Sequence, residues 1–176
     1  MPKVVLRLGA DVSTDVIYPG RYMATVLPVE TPQFAFADDA PFNSRCQSGG
    51  LPPGSVIVAG KNFGCGSSRE QACSALKGHG LIVVADGFAR IFLQNAVNVG
   101  LQVVCAPAVE AAEGDEVELH ADAVVNLTSG HRYPVVPLPP ARQAIVDAGG
   151  LVPYTRERLR TSRASTLVVD NGGPTP

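Results

Sequence analysis

The stretch from residue 55 to residue 105 constrains the fold most, because short apolar runs alternate in it with segments of helical periodicity. The helical segments, residues 68–77 and 88–99, are each followed by a glycine that can end a helix. The apolar runs are continuous and rich in Val and Ile, as is typical of parallel strands covered on both faces. They span residues 55–59, 81–85 and 101–105. Strand, helix, strand, helix, strand at this spacing predicts an α/β unit with neighbouring parallel strands.

The flanking segments add shorter elements to this unit. Their composition predicts a strand over 3–8, a structured loop over 11–21, a short helix within 22–37 and a long surface loop over 38–54. Further along, it predicts a hairpin or meander over 116–136 and a helix over 139–148. Residues 151–160 suit either an extended or a helical conformation. We expect one α/β domain over residues 1–160, with a small mixed or parallel sheet flanked by helices, followed by a flexible tail over 161–176.

The composition excludes two classes of partner. The net charge is -2, and the densest basic run, around residues 156–163, is diluted by Glu157. We therefore expect no nucleic-acid partner. No apolar run approaches the ~18 residues of a membrane span, and residues 1–9 lack the apolar core of a secretion signal. These features predict a cytoplasmic protein without a membrane contact.

The four cysteines follow no metal-binding or redox spacing. Cys46, Cys65, Cys73 and Cys105 form no CxxC pair. In a reducing cytoplasm they should be free thiols that pack as small apolar side chains. We expect no metal site in this chain.

The segment 60–70, GKNFGCGSSRE, carries the strongest chemical signal. It follows a predicted buried strand and opens a predicted helix, whose first N–H groups and positive dipole end favour an anion. Gly64 and Gly66 let the backbone approach a ligand, and Ser67, Ser68 and Arg69 add two hydroxyls and a guanidinium. The pattern indicates a site for a carboxylate or a phosphate.

The same segment partly resembles nucleotide-binding loops and helix-capping motifs. No Gly-Lys-Ser/Thr closes it as a phosphate-binding loop would require, and Arg69 stands where a dinucleotide fingerprint needs its third glycine. Ser67 with Glu70, and Ser68 with Gln71, also have the spacing of a capping box, which would make both serines structural. Arg69 fits that alternative poorly, because a cation in the first turn opposes the helix dipole by ~0.3–1 kcal/mol.

Three separated motifs together resemble the swivelling domain of the aconitase superfamily. They are GKNFGCGSSREQA with ADGFARIFLQNAVNVGL, the N-terminal segment DVSTDVIYPGRY from residue 11, and GGLVPYTRERL from residue 149. The resemblance covers residues 3–160 and keeps the order of the family's motifs. It implies a swivel-like domain of the β/β/α type.

The resemblance also implies an activity. The family dehydrates a hydroxy acid and rehydrates the alkene at the neighbouring carbon, with a 4Fe–4S cluster as Lewis acid. In the two-subunit members the large subunit holds the cluster, so this chain would be a small subunit that is active only with a large partner. The family match makes Ser67 the catalytic base and assigns the substrate carboxylate to Ser68 and Arg69.

Further positions match the family and would support the site. Asp15 is expected to orient a histidine or an arginine across the cleft. Gly64 and Gly66 would shape the loop, and Arg90 and Asn95 match positions for which we favour structural roles, such as holding the Ser67 loop.

The substrate depends on the turn that contains Met23 and Ala24. Relatives that act on longer tricarboxylic acids carry an arginine where this chain has Ala24, so no bidentate clamp is available there. An apolar pocket would suit 3-isopropylmalate, an intermediate of leucine biosynthesis. Homocitrate-type, citramalate or methylmalate, and dimethylmalate dehydratases remain alternatives, as does a non-catalytic module that binds anions.

Overall fold

The computed structural model describes residues 1–169 and confirms an α/β fold with three layers. Four parallel strands form the central sheet in the order β1-β2-β3-β4, and three antiparallel strands form a second sheet in the order β5-β6-β7. The strands are β1 (Val4–Arg7), β2 (Val56–Ala59), β3 (Ile82–Ala85), β4 (Val103–Cys105), β5 (Val117–Leu119), β6 (Ala123–Asn126) and β7 (Arg132–Pro134). The helices are α1 (Thr14–Ile17), α2 (Ala40–Gln47), α3 (Glu70–Gly78), α4 (Arg90–Val99), α5 (Pro140–Asp147) and α6 (Leu151–Val169).

The central sheet is buried on both faces, which explains the continuous apolar runs in its strands. Successive side chains of a strand point to opposite faces. In β2, Ile57 and Ala59 belong to the core that also contains Leu76 of α3 and Phe92 of α4. The alternate residues of β2 pack instead with Val117 and Val124 of the second sheet. The resulting order of layers is sheet, sheet, helices, as the β/β/α expectation required.

The carboxyl ends of β1, β2 and β3 deliver three loops to one edge of the sheet. The N–H of Gly60, after β2, donates to the carbonyl of Gly9, after β1, at 3.0 Å. A Cβ at Gly60 would lie 2.8 Å from the backbone nitrogen of Ala10, so the two loops touch through their backbones. Phe63 forms an isolated parallel bridge with Phe88, which follows β3. This edge carries the candidate site.

The prediction of a long loop over residues 38–54 was wrong, because α2 lies inside it. The carboxylate of Asp39 accepts from the N–H of Phe42 at 3.1 Å, and Pro41 occupies the first turn. Phe42 and Cys46 are buried against the core. A cap, a first-turn proline and two apolar residues one turn apart suffice for this helix. In the segment 22–37, for which a short helix was predicted, the structure contains a short 3-10 helix, Thr31–Phe34. Another 3-10 helix, Gly20–Tyr22, ends where this segment begins.

The C-terminal segment is helical rather than extended. α6 begins at Leu151 and continues past residue 160, where we expected the tail to begin. Residues 170–176 of that expected tail lie outside the described residues. Of the helices described, none combines the length and hydropathy that a bilayer crossing requires.

Candidate active site

The loop over residues 60–69, which joins β2 to α3 and is called the site loop here, is held by the segment 11–15. The N–H of Asp11 donates to the carbonyl of Lys61 at 2.8 Å, and the carbonyl of Val12 accepts from the N–H groups of Gly64 and Cys65 at 2.8 and 3.1 Å. Further along, the N–H of Thr14 donates to the carbonyl of Cys65 at 2.8 Å. Two irregular segments about 50 residues apart are thus paired through their backbones, as neighbouring strands would be.

Arg69 stands at the N-cap of α3, not in its first turn. Its backbone is extended (φ -122°, ψ 100°), and the helix begins at Glu70. The guanidinium donates to the Asp15 carboxylate and, at 3.0 Å, to the carbonyl of Tyr18. Only 12% of the Arg69 side chain is exposed, against 55% for Asp15. Asp15 therefore pairs with the guanidinium of Arg69 from the solvent side and fixes its orientation.

The two capping boxes considered from the sequence do not form. The cap of α3 is Arg69, and no side chain caps the helix. Ser68 and Ser67 lie one and two residues before the cap, respectively, and both are exposed. Within the described residues the Ser67 hydroxyl has no hydrogen-bond partner, while Ser68 Oγ accepts from Asn95 Nδ2 at 3.5 Å. The serines are therefore not explained by capping, and the first N–H groups of α3 remain open to an anion.

The two glycines of the site loop are required by its geometry. Gly64 has φ +79° and Gly66 has φ +88°, in the region that side chains disfavour. A Cβ at Gly64 would lie 2.1 Å from Cγ of the buried Phe92. A Cβ at Gly66 would lie 3.0 Å from Ser13 Oγ. The lack of a side chain at Gly64 thus lets the loop pack against the core, and at Gly66 it lets the loop pass close to the segment 11–15.

Met23 and Ala24 lie in a turn that starts beside Arg69. A Cβ at Gly20 would be 3.3 Å from Arg69 Nη2. Tyr22 stacks on Phe34 with ring centroids 4.1 Å apart, which anchors the turn. Beyond this anchor Met23 is 37% exposed and Ala24 is exposed. The two side chains therefore stand at the surface, three and four residues after the glycine that lies beside the arginine.

Arg90 is a predicted supporting residue for which the described part of the chain shows no polar contact with the site loop. It is the first residue of α4 and is exposed. Within the described residues it makes no hydrogen bond or ion pair. Asn95, one turn further along α4, is the residue that reaches Ser68.

Thr14 is the residue that sequence reasoning missed. It is 1% exposed, and its hydroxyl donates to the carbonyl of Ser67 at 2.9 Å. A buried polar side chain inside a loop-like sequence gives no hydropathy signal. The only sequence signal for Thr14 is its position directly before Asp15, which was itself a predicted site residue.

The four cysteines are unpaired thiols. Burial raises the pKa of Cys46 to about 11, and it raises the pKa of Cys73 and of Cys105 as well. These three thiols are therefore poor nucleophiles at neutral pH. Among the described residues no group of three or more His, Cys, Asp or Glu side chains could hold a metal ion. Within residues 1–169 the side chains thus supply no set of ligands for an iron–sulfur cluster.

Comparison with known proteins places this architecture in a family. The model of the aconitase C-terminal domain matches residues 42–107. The 3-isopropylmalate dehydratase small subunit of Moorella thermoacetica is 47% identical over 160 residues, which cover 88% of this chain and 93% of that protein. The chain belongs to the family of 3-isopropylmalate dehydratase small subunits.

Other members of this family support the assignment. The isopropylmalate/citramalate isomerase small subunit of Methanocaldococcus jannaschii is 41% identical, with 90% of this chain and 95% of that protein covered. A crystal structure of 3-isopropylmalate dehydratase from the same organism superposes with a TM-score of 0.83 at 38% identity. The superposition covers 93% of this chain and 97% of that one. The family and the swivel-type fold expected from the motifs are both confirmed.

The close packing of Gly64 against Phe92 can be tested by substitution. Gly64→Ala should lower the free energy of unfolding by at least ~2 kcal/mol more than Gly54→Ala, measured by urea denaturation. Gly54 is the matched control, because it has a similar φ (+84°) but nothing within 4 Å of an added Cβ. Both variants carry the left-handed strain of ~1–2 kcal/mol, and only Gly64→Ala adds the clash. Equal losses would show that the loop does not rest on Phe92.

Proposed function

We propose that this chain is the small subunit of a two-subunit hydro-lyase that interconverts 2- and 3-isopropylmalate by dehydration and rehydration. The proposal is carried by two neighbouring features at the start of α3. The Ser67 hydroxyl has no hydrogen-bond partner among the described residues, and the guanidinium of Arg69 is fixed and largely buried. A hydroxyl and a guanidinium at an exposed edge of the sheet suit a carboxylic acid that a second chain also contacts.

The substrate carboxylate is assigned to Ser68, Arg69 and the first N–H groups of α3. A guanidinium held by Asp15 and Tyr18 has lost most of its freedom before the substrate arrives, so little ordering entropy opposes binding. The hydroxyl of Ser68 and the backbone N–H groups add donors of the same polarity. This arrangement holds a carboxylate and fixes the carbon next to it.

Ser67 is assigned as the base that removes the proton α to that carboxylate. A serine hydroxyl is a weak base unless its alkoxide is stabilised. The dipole of α3 and the charge of Arg69 provide a positive field at this point. The same field stabilises the negative charge that develops on the carboxylate as the proton leaves.

The remaining chemistry is assigned to a large partner subunit. A 4Fe–4S cluster held by that subunit would supply a Lewis acid for the substrate hydroxyl. The residues of this chain would bind the carboxylate, orient the α-carbon and take up its proton. The cytoplasm is the proposed compartment, because unpaired thiols suit a reducing environment.

Substitution of the proposed base tests the function directly. Ser67→Ala, assembled with the large subunit, should lower kcat for 3-isopropylmalate by ~10²–10⁴-fold with little change in KM, because a proton acceptor is lost while the carboxylate contacts remain. Ser129→Ala, an exposed serine of the turn between β6 and β7, is the control and should keep normal kcat. A kcat within about threefold of the parent for Ser67→Ala would remove Ser67 as the base. A parent complex without activity on isopropylmalate would instead favour a non-catalytic anion-binding module.

The substrate preference is tested at Ala24. Ala24→Arg would place an unpaired charge beside an apolar substituent, which should cost ~10²-fold or more in kcat/KM on isopropylmalate. A distal carboxylate would pair with the same charge, so activity on homocitrate-type acids should rise.

Ala24→Met is the matched control, because it adds length without charge. It should bring no gain on homocitrate-type acids. If Ala24→Arg leaves both activities unchanged, Ala24 does not contact the substrate, and citramalate or dimethylmalate become equal candidates.

A further inference from the structure

The backbone of residues 66–68 is held by one hydrogen bond within the described chain. That bond is donated by Thr14 Oγ1 to the carbonyl of Ser67, at 2.9 Å. The N–H of the same Thr14 donates to the carbonyl of Cys65 at 2.8 Å, so one residue grips the loop on both sides of Gly66. Before this stretch the N–H groups of Gly64 and Cys65 donate to the carbonyl of Val12, and after it the N–H of Ala72 donates to the carbonyl of Arg69.

The orientation of the Ser67 hydroxyl therefore depends on its backbone. The hydroxyl has no partner of its own in the described residues, and Gly66 directly before it has φ +88° and the freedom of a residue without a Cβ. The threonine that holds the carbonyl is rigid by comparison. It is 1% exposed, lies at the first position of α1 and is β-branched, which restricts its χ1 angle.

We propose that Thr14 is a positioning residue that fixes Ser67 for proton removal. The next residue, Asp15, holds Arg69, so the first two residues of α1 fix the base and the carboxylate-binding cation through one side chain each. This inference rests on the proposed role of Ser67. It assigns to Thr14 an effect on the chemical step that packing alone would not produce.

The test compares three variants in the complex with the large subunit. Thr14→Val keeps the shape and removes the hydroxyl, and Thr14→Ser keeps the hydroxyl. Ser55→Ala is the matched control, because the Ser55 hydroxyl is also buried and also donates to a backbone carbonyl, that of Pro52, at the opposite end of β2.

Thr14→Val should lower kcat by ~10- to 100-fold, as expected when a reacting group is misplaced by about 1 Å, with KM changed less than about threefold. Thr14→Ser should restore kcat to within about threefold of the parent. Ser55→Ala should leave kcat unchanged although its midpoint of urea unfolding falls about as far as that of Thr14→Val.

The possible outcomes distinguish a failure of the role of Thr14 from a failure of the proposed function. Parental kcat in Thr14→Val together with an inactive Ser67→Ala would overturn the role of Thr14 and leave Ser67 as the base. An active Ser67→Ala would remove Ser67 as the base and with it the premise of this inference, and a parent complex without activity on isopropylmalate would overturn the proposed function itself. If Thr14→Val does not assemble, Thr14→Cys replaces it, since its thiol is a weaker donor. Its kcat should then lie between those of Thr14→Ser and Ser67→Ala, and a parental value would again refute the proposal.

Discussion

The hydrogen bonds between the segment 11–15 and the site loop are the constraint on which the site depends. Neither segment is regular over its whole length, and each leaves backbone groups that the other satisfies. The pairing ends in two side-chain contacts, Thr14 to the Ser67 carbonyl and Asp15 to Arg69. The chemistry of the start of α3 is therefore set by residues that precede it by about 50 positions, and by no local cap.

The layered fold makes this pairing possible. Because β1 and β2 are parallel neighbours, the loops that follow them leave the sheet at the same edge. The second sheet covers one face and α3 and α4 cover the other, which leaves that edge free for a ligand. Gly64 packs directly against Phe92 of α4, so contact with the buried core fixes the position of the loop that carries the serines.

Much of the fold could be predicted from the sequence, because the spacing of apolar residues indicates which side chains of a strand or a helix are buried. The strands β2, β3 and β4 and the helices between them are read from apolar spacing alone. α2 was missed, since its polar composition hid the signals at Asp39 and Pro41. The start of α3 was placed two residues early, because Ser68 imitates a cap. Contacts such as those of Thr14 join distant segments, and no local pattern encodes them.

The start of α3 is proposed to hold the substrate carboxylate beside Ser67, and a crystal structure of the complex with the large subunit and isopropylmalate would show whether it does. We expect a carboxylate oxygen within ~2.7–3.1 Å of the Arg69 guanidinium and the Ser68 hydroxyl. The Ser67 hydroxyl should point at the carbon that carries the proton. An acid bound away from α3, with Arg69 engaged only by Asp15 and Tyr18, would refute this placement.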